Sequence, residues 1–295
     1  MLKIQKISIL SSFIGLWLTS FLNQEAQFFV GFSLILSFGI LHGANDLVLI
    51  NELDINNKPK SFLKLLFSYV VIVLSAVALF VFIPSIAMLL FIIISAYHFG
   101  EQHWQKLKEE QPQVITILFQ LNYGLFILFL LFVFHKTEVI EIVYKITSIT
   151  VGEMFIEIVF SISTFLLIVL TLFIVNKTIE FKKNIPEQLL YILVFAIIFK
   201  VGSLIWAFTI YFILWHSIPS LNDQIKFLYG SYSFKNFINY FKSAFLYWVV
   251  SLIGITILYY FFKDQKLFEA LFFSFLAAIT FPHAWVILKM FKNKA

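Results

Sequence analysis

Six histidines are the side chains of this chain best equipped for chemistry: His42, His98, His103, His135, His216 and His283. Four of them, His42, His98, His216 and His283, interrupt long apolar runs. An ionisable group in such a run is costly and usually marks a site. Imidazole is a good ligand for iron, zinc, copper and nickel. One such histidine alone is as readily a hydrogen-bonding residue of helix packing, whereas four at a common depth point to a shared metal. Asp46 lies four residues after His42, on the same helix face. Its carboxylate can accept an imidazole N–H and fix the tautomer of a metal-bound ring, or it is a helix-end charge reaching for water. Glu101, three residues after His98, carries the same two readings. His103 follows His98 by five residues, about 140° around an ideal helix, so the two rings diverge unless the helix ends or bulges near Gly100. His135 sits at the far end of its apolar run and reads as a surface residue. Tyr97, Trp104, Trp206 and Trp215 read as interfacial or packing aromatics, or as walls of a tunnel for a lipophilic substrate.

Membrane helices must position these side chains. A spanning helix needs about 20 mostly apolar residues, fewer where it is buried among neighbours. The sequence offers candidate spans near 7–22, 27–47, 61–83, 85–100, 113–134, 156–175, 187–201, 203–217, 243–262 and 267–288. Gly202-Ser203 is the only plausible break in the long run 187–217, and without it the spans number nine instead of ten. The lysines test the count. With the N-terminus inside, sixteen fall on the inner side, in clusters such as Lys58, Lys60 and Lys64 or Lys177, Lys182 and Lys183. Five fall outside: Lys136, Lys145, Lys200, Lys263 and Lys266. That bias satisfies the positive-inside rule and places both termini in the cytoplasm. Counted from the outer ends of their spans, the four histidines come after 15, 13, 13 and 16 residues, depths that agree within about 5 Å. All four helices run inward, so one layer of imidazoles forms in the cytoplasmic half of the membrane.

The composition agrees. Of 295 residues, 61% are apolar and 13% charged, against about 25% charged in a soluble domain. So few charges cannot cover a water-facing surface, which excludes a soluble enzyme, a nucleic-acid reader and a disordered scaffold. The net charge of +5 comes from lysines scattered over short loops, without a basic stripe. The absence of cysteine removes disulfides, thiolate metal sites and cysteine nucleophiles. The first apolar run has no small-residue cleavage site and reads as a retained helix. Segments 137–152 and 222–242 mix apolar, aromatic and charged residues and read as interfacial. With no repeat and no soluble stretch, residues 1–295 read as one all-α, polytopic transmembrane domain with a metal site in the helix bundle.

The blocks around these histidines carry a resemblance. His42-Gly43-Ala44-Asn45-Asp46, Tyr97-His98-Phe99-Gly100-Glu101, Trp215-His216-Ser217 and Pro282-His283 occur in that order. They resemble the Brp/Blh family of membrane β-carotene 15,15'-dioxygenases, which make retinal for rhodopsins. The resemblance implies a non-haem Fe(II), held by histidines, that cleaves the central double bond of β-carotene with O2 to give two retinals. His42, His98 and His216 match family ligands. The second histidine of the family's Trp-His block is Ser220 here, after Pro219. His283, by its depth, and His103, by its place beside a matched block, are the two candidates for a fourth ligand. The His layer is also compatible with a haem protein, a metal- or proton-coupled transporter, or a zinc-dependent membrane hydrolase using Asp46 as its base.

Overall fold

The computed structural model of the protein describes residues 3–53, 62–261 and 265–292, and every regular element among them is a helix. Lys58, Lys60, Lys263 and Lys294, which enter the charge count, lie outside the described residues. In chain order the elements are α1 (Lys3–Thr19), α2 (Gln24–Leu34), a π-helical turn π1 (Ile35–Gly39), α3 (Ile40–Gly43), α4 (Asp46–Leu53), α5 (Phe62–Phe82), α6 (Pro84–His103), α7 (Leu107–Glu110) and α8 (Gln113–Phe134). Then follow α9 (Lys136–Thr147), α10 (Glu153–Val175), α11 (Ile179–Val201), α12 (Leu204–Tyr211), a second π-helical turn π2 (Phe212–Ser217), α13 (Ile218–Tyr229), α14 (Phe234–Phe261) and α15 (Gln265–Lys292).

Among the described residues, nine helical segments are long and apolar enough to cross a membrane. The break at Gly202-Ser203 is present: both residues are extended, with ψ of 160° and 162°, and separate α11 from α12. Helix α1 is a further apolar helix, shorter than these nine: its 17 residues rise about 25 Å, at the short end of what spans a hydrocarbon core of about 30 Å. The segment 222–242 is not one interfacial strip. It completes α13, turns at Gly230, whose φ of +76° favours glycine, and opens α14. Ser220, Asn222, Gln224 and Ile225 of α13 are buried.

The described residues form two compact units, each gathered from separate stretches of chain. The first comprises Met1–Ile35, Ala96–Ile140 and Val151–Pro219. Apolar side chains gain little by meeting each other in lipid, so close backbone approach and polar bonds must hold such helices together. Here α6 and α8 touch backbone to backbone. A Cβ at Gly100 would sit 1.8 Å from the Gln120 carbonyl oxygen, and one at Gly124 would sit 1.7 Å from that of Ala96. Asn122 of α8 donates to the Ser163 carbonyl of α10 at 2.9 Å. Helix α1 serves as an acceptor rail: Trp206 Nε1 donates to the Gly15 carbonyl, and Trp215 Nε1 to Ser12 Oγ. Both tryptophans are buried, so they are packing residues, not interfacial ones.

The second unit comprises Leu36–Ser95, Glu141–Thr150 and Ser220–Ala295. Its core packs Leu47, Leu49, Ile50 and Leu53 of α4 against Leu65 of α5 and Val286, Ile287, Met290 and Phe291 of α15. A second cluster joins Leu41 of α3 to Ile225 of α13 and to Tyr240 and Ala244 of α14. These two clusters fix the helices that carry His42, Asp46 and His283.

Candidate metal centre

Local irregularity accompanies three of the histidines. His42 lies in the single turn of α3, between π1 and the Ala44-Asn45 break before α4. His216 lies inside π2, and His283 follows Pro282 within α15. A π-turn widens the ring of backbone hydrogen bonds, re-aims the side chains and disturbs the carbonyl pairing of the turn; such turns are frequent at functional sites. In an apolar span those carbonyls still need donors. Neighbouring side chains supply them. Trp248 Nε1 donates to the Ser37 carbonyl of π1 at 2.9 Å. Ser8 Oγ donates to Leu214 at 2.7 Å, and Gln102 Nε2 to the carbonyl of His216 itself at 3.0 Å. Past π1, the Tyr240 hydroxyl lies 3.1 Å from the His42 carbonyl and 2.7 Å from Gln224 Oε1. Asn45 completes that seam, donating to the Tyr240 carbonyl and accepting from Ser243 Oγ, both at 3.0 Å.

The rings so held form one pair in each unit, and all four are buried. In the first unit His98 and His216 meet with centroids 4.7 Å apart and planes at 77°. In the second unit His42 and His283 meet with centroids also 4.7 Å apart and planes at 86°. Those spacings can be tested against a metal. With a metal–nitrogen bond of about 2.1 Å, an imidazole centroid lies about 3.2 Å from the ion; two ligands at a right angle then have centroids about 4.6 Å apart, and a tetrahedral pair about 5.3 Å. Each pair therefore suits adjacent positions on one ion. Neither suits the two opposite axial positions of a haem, which need about 6.4 Å by the same measure.

Asp46 is buried and engages His283. His283 Nδ1 lies 2.8 Å from Asp46 Oδ1, and Asp46 Oδ2 accepts the Tyr69 hydroxyl at 3.0 Å. A carboxylate can only accept, so the imidazole proton sits on Nδ1 and the ring's lone pair on Nε2, the arrangement seen behind metal-bound histidines. The sequence put Asp46 on the face of His42; its partner comes from 237 residues further along the chain. Glu101 is buried too.

The remaining candidates lie elsewhere. Helix α6 runs unbroken through Gly100 to His103, so His103 keeps the divergent direction of an ideal helix. Its ring stacks on Tyr123 with centroids 4.9 Å apart, and Nε2 lies 2.7 Å from Gln188 Oε1. His135 is not a surface residue. Its side chain is 10% exposed, with Nε2 2.7 Å from the Phe199 carbonyl and Nδ1 3.4 Å from Glu138. Ser220 is buried and accepts from Gln224 Nε2 at 3.1 Å, one link from Tyr240. Sequence reasoning missed Tyr69, Gln102, Gln224 and Tyr240. Tyr69 alone stands out, as a polar group in an otherwise apolar segment; the other three lie in mixed polar stretches that single out no residue.

Residues 33–291 match the family model described as beta-carotene 15,15'-dioxygenase, a span that includes all four buried histidines. No curated protein and no solved structure matches the chain.

Proposed function

The chain belongs to the beta-carotene 15,15'-dioxygenase family, and from that we propose that it cleaves β-carotene at the central 15,15' double bond to give two all-trans-retinal. His42, His98, His216 and His283 would hold one non-haem Fe(II). Bound there, the iron would activate O2, a task beyond amino-acid side chains alone. The double bond breaks and each half takes one atom of O2 as its aldehyde oxygen, so no further reductant is consumed. The observation that carries the reading is the 4.7 Å spacing of each buried imidazole pair, taken with a family match that spans all four residues.

Each part of the chain then has a task. Neutral imidazoles bind the metal, and Asp46 keeps His283 in the tautomer that presents Nε2. His283 takes the fourth place in this reading, because His103 is engaged with Gln188 and Tyr123. The polyene offers no polar handle, so apolar walls hold it by burial and dispersion. It dissolves only in the bilayer, which suits a multi-pass protein of the cell membrane with both termini cytoplasmic and residues 1–295 acting as one transmembrane domain. Retinal released there is available to a rhodopsin. The other readings fare worse. A zinc hydrolase needs a carboxylate as general base, and Asp46 has one oxygen on His283 and the other on Tyr69. A transporter's broken helix is not found at Gly202-Ser203, which separates two spans.

The test is expression in a β-carotene-producing bacterium with retinal and carotenoid quantified by chromatography. Retinal is expected to appear as β-carotene disappears, with the activity lost in His42→Ala, His98→Ala, His216→Ala and His283→Ala. Unchanged β-carotene with folded, iron-loaded protein in the membrane would refute the proposal.

A further inference from the structure

Tyr69 stands in the middle of α5, a helix that is otherwise almost wholly apolar. Its ring packs against the cluster built from Leu47, Leu65, Val286 and Ile287. Its hydroxyl donates to Asp46 Oδ2 at 3.0 Å, while the other oxygen of the same carboxylate faces His283 Nδ1 at 2.8 Å. Three helices of one unit, α5, α4 and α15, thus contribute one residue each to a continuous chain ending at an imidazole.

The carboxylate is the part of this chain that needs help. Asp46 is 1% exposed, and a buried carboxylate oxygen without a donor costs more than a neutral group would. One donor, His283 Nδ1, fixes only one oxygen and leaves the carboxylate plane able to turn about its Cβ–Cγ bond. A second donor on the opposite oxygen removes that freedom. The plane of Asp46 then sets the direction of the Nδ1–H bond, and through it the direction in which Nε2 points.

We propose that Tyr69 is a positioning residue for the metal, acting through Asp46 on His283. The proposal rests on the reading of His283 as an iron ligand. It assigns to Tyr69 a role that neither its spacing from the histidines nor its place in an apolar span discloses. Groups behind metal ligands typically change metal affinity or activity by about 10–100-fold when removed. Tyr69→Phe keeps the ring and its packing while deleting only the donor.

The experiment titrates purified, metal-free protein in detergent with Co(II), whose visible spectrum reports the number and arrangement of ligands. Wild type is expected to bind Co(II), and Tyr69→Phe to bind it about 10-fold more weakly with a shifted visible spectrum. Asp46→Ala is expected to weaken binding as well. Adding Tyr69→Phe to Asp46→Ala is expected to cost nothing further, because the hydroxyl then has no carboxylate to act through. A purely structural tyrosine would lower the melting temperature in both backgrounds and leave affinity and spectrum unchanged. Tyr69→Leu is a second hydroxyl-free variant, with the same expected loss, should Tyr69→Phe not fold. Unchanged affinity and spectrum in folded Tyr69→Phe, or an equal loss with and without Asp46, would overturn the proposal. A wild type that binds no metal would instead overturn the metal reading on which it stands.

Discussion

Replacing Gly124 by alanine places a methyl group where a backbone oxygen already lies. The new Cβ would be 1.7 Å from the carbonyl oxygen of Ala96, whereas carbon and oxygen in contact across helices settle at about 3.3 Å. Relief requires α6 and α8 to part by about 1.5 Å, because both sides of the clash are backbone and no side chain can swing away. Gly100→Ala meets the same obstacle from the other helix, at 1.8 Å from the Gln120 carbonyl oxygen. Overpacking costs about 1–3 kcal/mol where side chains can yield, so about 3 kcal/mol or more is expected here. His98 lies two residues from Ala96 and two from Gly100, on the segment that must move. Metal–ligand distances tolerate about 0.2 Å, and misplacement by about 1 Å can cost about 100-fold in rate. Gly124→Ala is therefore expected to lower the melting temperature, leave the purified protein short of iron by elemental analysis, and cut retinal formation by about 100-fold or more. Gly254 supplies the control: it too is helical, yet a Cβ there meets no atom within 4 Å. Gly254→Ala is expected to be neutral or to gain up to about 1 kcal/mol. Equal stability and iron content in Gly124→Ala and Gly254→Ala would refute the reasoning.

The two candidates for the fourth ligand separate cleanly: His283→Ala is expected to lose bound iron, whereas His103→Ala is expected to keep it while losing stability through the Gln188 bond and the Tyr123 stack. Iron retained in His283→Ala would reverse the assignment. Tyr240→Phe removes the hydroxyl shared by Gln224 and the His42 carbonyl; about 1–3 kcal/mol should be lost in thermal or chemical unfolding, and a melt like wild type would show the seam to be slack. Glu138, outside the spans, has its pKa held low chiefly by the hydrogen bond to His135. Its stabilising effect is then present above its unfolded pKa, about 4.3, and lost as the pH falls through the folded value. The carboxylate is half exposed, so the melting difference between wild type and Glu138→Gln should be small, about 0.5 kcal/mol at neutral pH, and should shrink as the pH falls below about 4.3. A difference constant down to pH 3 would exclude the bond as its source.

What the sequence made legible was what composition and period encode. Helix α8 occupies residues 113–134 as expected, because an apolar run bounded by Pro112 and His135 leaves little choice. The break at Gly202-Ser203 was visible for the same reason. The number of spans was less so, since α1, with 17 residues, lies at the short end of what crosses a membrane. The two π-turns left no signal: Phe212-Ile213-Leu214-Trp215-His216-Ser217 reads as ordinary helix. Long-range partners were hidden too. That Asp46 serves His283 and not the neighbouring His42, or that His135 is drawn inward by the Phe199 carbonyl, depends on helices meeting far from each other in sequence.

The irregular turns explain why these spans carry polar residues at all. A regular helix satisfies its own backbone and needs nothing from its neighbours. Once π1, π2 and the α3–α4 break re-aim the histidines, carbonyls at Ser37, His42, Leu214 and His216 require donors from other helices. Trp248, Tyr240, Ser8 and Gln102 are those donors. Each works only if its helix is correctly placed, so the bond that satisfies a carbonyl also fixes the histidine beside it. Tightness of packing and accuracy of the site are therefore one property in this protein. That is why the backbone contact at Gly124, which touches no ligand, is expected to govern metal content as strongly as the removal of a ligand would.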